Sequence, residues 1–212
     1  MASRKPPPRP YHHGNLRESL LAAADELLGR TGLQGLTLRE VARAAGVSHA
    51  APYHHFANLD DLLAAVAARS FERLGQAMEA ASRQPDAREA LLQIGDAYVG
   101  HARAQPAHFR LMFGPMLARK AEFPALAEAA RRSFDVLLAT AERYAPGEGA
   151  AVALSGWSLG HGFANLAIDG AFEGLPVAVS PDVAMARHLH EWLLPVRDRP
   201  AAPTRAKSGQ RR

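Results

Sequence analysis

Three sets of side chains in this 212-residue sequence are spaced for chemistry, and each implies a different kind. Gly156-Trp157-Ser158-Leu159-Gly160 matches the G-x-S-x-G turn that presents a nucleophilic serine, with Asp169 or Asp182 and His188 or His190 following in hydrolase order. That chemistry needs a strand before the serine and a sheet around it. Val152 to Leu154 is the only strand-like scrap, so no enzyme is expected. The ten histidines form the second set. His12 with His13 and His54 with His55 are sequence neighbours, His188 and His190 project from nearly opposite sides of a helix, and none has the i, i+4 spacing that chelates an ion from one helix face. Neither a metal nor a cofactor is expected. The third set lies in residues 37 to 56, where Ser48, His49, Ala50 and Ala51 follow a tight turn at Gly46 and open a short helix. The first turn of such a helix is the part that reaches base edges in a DNA major groove. Thr37 leaves a hydroxyl and an amide near a phosphate, and Tyr53, His54 and His55 add donors for phosphates or bases.

These side chains must be held by helices, because almost every segment between residues 16 and 194 reads at helical period. Leu16, Leu20, Leu27 and Leu28 with Ala23 and Ala24 line one face of a first helix, which Gly32 ends. Thr37 and Glu40 are spaced as a capping box, followed by Leu38, Val41, Ala42 and Ala45, and Gly46 stops that second helix. A third helix is predicted from Ser48 as N-cap to about Phe56. Asn58 caps a fourth, with Asp60 and Asp61 in its first turn. Asp86 with Glu89 and then Pro124 mark further starts, a long alanine- and glycine-rich helix spans roughly Gly149 to Asp169, and a last helix is capped by Ser180, opened by Pro181 and closed at Leu194. The expectation is an all-α fold of about nine helices, a three-helix head followed by a larger bundle.

Composition narrows the partners. The formal net charge of +4 is unevenly spread: residues 1 to 17 carry +4, residues 196 to 212 carry +5, and the body between is left at −5. Two basic ends flanking an acidic globule suit phosphate contact at the ends. With no cysteine there is no disulfide, thiolate metal site or thiol sensing. No apolar run approaches a membrane span, and the basic start is followed by prolines rather than the apolar stretch of a secretory signal, so a cytoplasmic protein is expected.

The stretch Thr37 to Phe56, Thr-Leu-Arg-Glu-Val-Ala-Arg-Ala-Ala-Gly-Val-Ser-His-Ala-Ala-Pro-Tyr-His-His-Phe, resembles the TetR family of bacterial transcriptional regulators nearly position for position, and the match extends from Tyr11 to about residue 75. Two positions depart from the family pattern: Pro52 replaces a larger aliphatic residue and Leu59 a common lysine. In the later half, Trp157, His161 and Gly162 resemble the signature of regulators with a WHG-type C-terminal domain. The resemblance implies a homodimer that grips palindromic double-stranded operator DNA and senses a small-molecule effector, more often as a repressor. It carries base-facing roles to Ser48, His49, Ala50 and Ala51, and phosphate roles to Thr37, Tyr53 and His55, with Arg39 and His54 also in the DNA-binding set. Effector contacts are expected from Tyr98, His101, Phe109, Met112, Phe113, Phe134, Trp157 and His161, and dimer contacts from the last two helices. The organisation expected is a basic flexible arm over 1–14, a helix-turn-helix domain over 15–75, an effector-binding and dimerisation domain over 76–195 and a basic disordered tail over 196–212. A nonspecific architectural DNA binder is the competing reading, and a Ser158 hydrolase the remoter one.

Overall fold

A computed structural model describes residues 16–176 and 180–196; the basic arm, and all of the basic tail after Val196, lie outside the described residues. Among the described residues there are nine α-helices and no strand. They are α1 (Leu16–Thr31), α2 (Leu38–Ala44), α3 (Leu59–Ser82), α4 (Ala87–Ala104), α5 (Pro106–Phe113), the single-turn α6 (Pro115–Ala118), α7 (Pro124–Tyr144), α8 (Gly149–Ile168) and α9 (Val183–Leu193). The first three form the head. The long α3 continues into a bundle with the remaining helices, in which α3 and α7 pack most extensively.

Local chemistry sets most boundaries. Thr37 Oγ1 accepts the amide of Glu40 at 3.1 Å, so half of the capping box forms. The Glu40 carboxylate turns instead to Arg43. At the other end of α2, Gly46 takes φ of 70°, which lets its amide reach Arg43 O at 3.2 Å and lets Val47 N reach Ala42 O at 3.0 Å. This is a Schellman closure, and a side chain at Gly46 would strain it. Asn58 and Asp86 cap α3 and α4 through the amides of Asp61 and Glu89.

Two predicted elements differ. In place of a helix from Ser48 to Phe56 there is one 3-10 turn at Ala51–His54. Pro52 has no amide to give Ser48 O, so the bonds that form are the shorter Ala51 N to Ser48 O and Tyr53 N to Ala50 O, at 3.0 and 3.2 Å. The last helix starts at Val183 rather than Pro181, because Asp182 and not Ser180 accepts the capping bond, from Met185 N at 2.9 Å. The Ser180 hydroxyl is spent on Asp182 itself at 2.6 Å.

One carboxylate fastens head to bundle. Asp25 on α1 accepts from Arg73 Nη2 of α3 at 2.9 Å and pairs with His108 Nε2 of α5 at 3.1 Å. The hydrogen bond from His108, and after it Arg73, holds Asp25 down to about 2, against the burial that opposes it. His101 of α4 lies in the same neighbourhood, lowered from 6.5 to about 4 by burial first and then by the charges of Arg73 and His108. Its Nε2 is buried without a hydrogen-bond partner among the described residues. Both folded values lie below the unfolded ones, so the unfolded chain binds more protons and stability is lost as the pH falls. Denaturant titrations from pH 8 to pH 3 should therefore lose stability through His101 between 6.5 and 4, and through Asp25 from about 4 downward. His101→Leu should flatten the first limb. Asp25→Asn should flatten the second and cost about 1–2 kcal/mol at pH 7, a figure reduced for the partial exposure of Asp25.

Candidate functional site

The head presents the polar set of residues 37 to 56 outward. Thr37, Arg39, Ser48, His49, Ala50, Tyr53, His54 and His55 are exposed, and Ala51 is half-buried. Pro52 and Phe56 turn inward beside Leu38, Val41 and Ala42, so the loop is anchored from below while its polar side faces out. Tyr53 is 62% exposed. Thr37, Arg39 and Tyr53 border one shallow depression together with Asn58 and Leu59 at the start of α3. Arg39 makes no ion pair among the described residues, unlike Arg43, which Glu40 neutralises. Exposed hydroxyls, an unpaired guanidinium and imidazoles can bind phosphates and base edges. Asn58 was not in the expected set, because its capping role hid its place on the rim.

In the bundle a cavity of about 550 Å³ opens between α3, α4, α7, α8 and α9. Of the residues expected there, Tyr98, Phe113, Phe134 and Trp157 line it. The others stand behind the wall: Phe109 and Met112 are fully buried, His161 backs Tyr98, and His101 lies nearer the Asp25 junction. Phe113 is the centre of the aromatic packing, with ring centroids 4.8 Å from Phe109, 4.8 Å from His161 and 5.3 Å from Phe71.

Trp157 and His161 stand at i, i+4 on α8 and both reach one hydroxyl. Trp157 Nε1 donates to Tyr98 Oη at 3.1 Å, and that hydroxyl lies 2.7 Å from His161 Nδ1. The indole can only donate, so Tyr98 Oη accepts from Trp157; toward His161 the hydroxyl donates when Nδ1 is unprotonated and accepts a second bond when Nδ1 carries the proton. Burial pushes the Tyr98 phenol well above its ordinary value and the His161 imidazole below its own, so both stay neutral. The Trp-x-x-x-His-Gly signature is thus a clamp that fixes one wall of the cavity to α4.

His190 of α9 forms an adjoining part of the wall. Its ring lies between Gly95 of α4 and Gly160 of α8, where an added Cβ would come within 3.1 and 3.4 Å of it. Side chains at either glycine would push the imidazole out. Nδ1 faces Ala186 O at 2.8 Å and Nε2 faces Gly156 O at 3.2 Å. Phe71, Leu74, Met78, Leu91, Ile94 and His190 are lining residues that sequence reading did not find. The α3 members recur at the spacing of an ordinary core stripe, and nothing in periodicity separates a cavity wall from a packed core.

Ser158 lies in the middle of α8 and is exposed, with helix on both sides and no strand before it. The G-x-S-x-G match is therefore a stretch of helix and lacks the strand-turn-helix bend that exposes a nucleophile. No group of three histidines or acids able to hold a metal ion is found among the described residues, and no helix among them is long and apolar enough to cross a membrane.

Comparison with known proteins gives two family matches: "Bacterial regulatory proteins, tetR family" over residues 20–66, and "Tetracyclin repressor-like, C-terminal domain" over residues 91–191. Among solved structures, a protein with unknown function from Rhodococcus sp. RHA1 is 34% identical, with 88% of this chain and 99% of that chain covered and a TM-score of 0.72. A transcriptional regulator from Rhodococcus sp. Rha1 is 25% identical, with coverage of 84% and 94% and a TM-score of 0.64. The TetR family transcriptional regulator PfmR from Thermus thermophilus, 21% identical, shares the fold over 82% of this chain and 96% of its own, with a TM-score of 0.61. No curated protein matches the chain.

Replacing Tyr98 by Phe should leave the Trp157 N–H and His161 Nδ1 unpaired at the cavity wall. The expected cost is about 1–3 kcal/mol in urea denaturation, with a change in tryptophan emission. An unchanged midpoint would mean that the clamp does not hold the wall.

Proposed function

Because the chain belongs to the TetR family of bacterial regulatory proteins and is a DNA-binding transcriptional regulator, we propose that it is a dimeric repressor released from its operator by a small molecule held in the bundle cavity. The observation that carries this reading is the sharing of α5. Phe113 on that helix lines the cavity, and His108 on the same helix grips Asp25 of the head. A ligand that favours one placement of α5 favours one placement of the head. Operator affinity then falls by linkage, through a shift between two populations.

Dimerisation through α8 and α9 is supported by the faces they turn outward. On α8, Leu154, Ser158, Gly162 and Leu166 recur every four residues and are exposed, with nothing within 4 Å of where a Cβ of Gly162 would stand. On α9 and just beyond, Ala184, His188, Trp192 and Val196 do the same, and Trp192 and Val196 are 79% and 80% exposed. Leucines around a small-residue stripe fit close approach of a second copy about a two-fold axis. The pair then sets two heads on half-sites about one helical turn of DNA apart. The Trp-x-x-x-His-Gly motif, inside the region matched to the C-terminal family model, supports the WHG-type subgroup. A cytoplasmic setting belongs to the same reading, since operator DNA lies there. An architectural, sequence-blind binder would have no use for a built cavity.

Fluorescence anisotropy with an operator selected from a random oligonucleotide pool tests the assignment of the head. Tyr53→Ala should weaken binding to all sequences. Arg39→Ala should reduce the slope of log affinity against log salt by about one, and His49→Ala should cost about 1–3 kcal/mol at one base position and relax preference there. If neither Tyr53→Ala nor His49→Ala alters operator affinity, the reading surface lies elsewhere; equal affinity for selected and random DNA would favour the architectural reading.

A further inference from the structure

We propose that the bundle cavity takes an amphipathic anion, an alkyl or similarly apolar body ended by a carboxylate, with the apolar part inside and the charge at Lys120. The inference rests on the reading of this cavity as the effector site. Its volume of about 550 Å³ fits an organic molecule of ordinary ligand size.

The inward polar atoms are already engaged, except that a neutral His190 has one N–H for the two carbonyls its ring nitrogens face. Trp157 Nε1 and the Tyr98 hydroxyl bond each other and His161, and Ser133 Oγ lies 2.9 Å from Ala129 O and 3.2 Å from Phe71 O. Both ring nitrogens of His190 face carbonyl oxygens. A ligand that needed hydrogen bonds deep in the cavity would have to break these, whereas a hydrocarbon needs none of them. What remains for it is aliphatic and aromatic wall, from Phe71, Leu74 and Met78 to Leu91 and Ile94.

Among the described residues the charged ones that line the cavity are Lys120 and Arg131, and both are cations. Both are exposed, which places them at the mouth rather than at the bottom. Arg131 is engaged by Glu128 and Asp135, and the neighbouring Arg119 by Glu122 and Asp60. Lys120 makes no ion pair among the described residues, so its charge is available to a ligand. Among the described residues no carboxylate lines the cavity, so a buried cationic ligand would lack a counter-charge there. Aromatic faces attract cations too, but the rings here are packed on one another, Trp157 against Phe134 at 6.0 Å and against Phe113 at 6.3 Å.

Isothermal titration calorimetry of the full chain with hexanoate, octanoate and decanoate, and with 1-octanol and octyltrimethylammonium, tests the class directly. Affinity should rise about fourfold per added methylene until the cavity is filled. Octanoate should bind about fivefold more tightly than 1-octanol, the scale of a partly exposed ion pair. Lys120→Gln should abolish that advantage and leave 1-octanol unchanged, while Arg131→Gln should reduce it less. Octyltrimethylammonium binding as tightly as octanoate, an affinity indifferent to chain length, or no binding by any of the carboxylates would overturn the proposal. Operator anisotropy at saturating decanoate separates the two readings. Length-dependent binding without loss of operator affinity would sink the effector reading and leave the ligand class standing. Release by the ammonium probe, with no carboxylate binding, would do the reverse.

Discussion

The arrangement depends on one acid. Asp25 receives a guanidinium from α3 and an imidazole from α5, and through them the first helix of the head is set against the bundle. Salt bridges at a surface contribute little. This one matters because three helices converge on it and because His108 is almost wholly buried, so the head cannot rotate without leaving polar groups unpaired in a dry place. The same eight-residue helix that carries His108 also carries Phe109 and Phe113, one beneath the cavity wall and one in it. A helix that short moves as a body. Under the proposed function, the junction at Asp25 and the shape of the cavity are therefore two ends of one rigid piece.

The cavity persists because its neighbours are too well satisfied to fall into it. The Trp157, Tyr98 and His161 clamp ties α8 to α4, and the His190 ring fills the gap that Gly95 and Gly160 leave open. Arg187 holds α9 to α4 through Glu89 and Asp96, at 2.8 and 2.6 Å. Polar groups that a reader of the sequence would assign to a ligand are in fact spent on holding the walls apart. What they leave for a ligand is apolar surface and a charged rim.

The sequence made the head and the start of α4 legible because caps and turns are local. Thr37, Gly46, Asn58 and Asp86 each act within a few residues, and each acts where its type and spacing placed it. The short helix after Ser48 was misread because the missing amide of Pro52 outweighs a pattern that otherwise reads as helical. Asp182 took a cap expected of Ser180 by the same kind of local competition. The cavity was legible only in part. Tyr98, Phe113, Phe134 and Trp157 stood out by type, but Leu74, Met78 and Ile94 carry the signature of any core helix. Whether an apolar face meets a partner or a space is decided by the crossing of helices far apart in sequence. The link from Asp25 to His108 spans 83 residues and has no local sign at all.

The most direct test of a cavity coupled to a reading head is reciprocity. Operator affinity measured with and without saturating ligand gives one factor, and ligand affinity measured with and without saturating operator gives another. Linkage requires the two factors to be equal, and the account predicts a common value of about 5–150, reduced in Asp25→Asn where the junction is cut. Ligand that binds the free and the operator-bound protein equally well would contradict it.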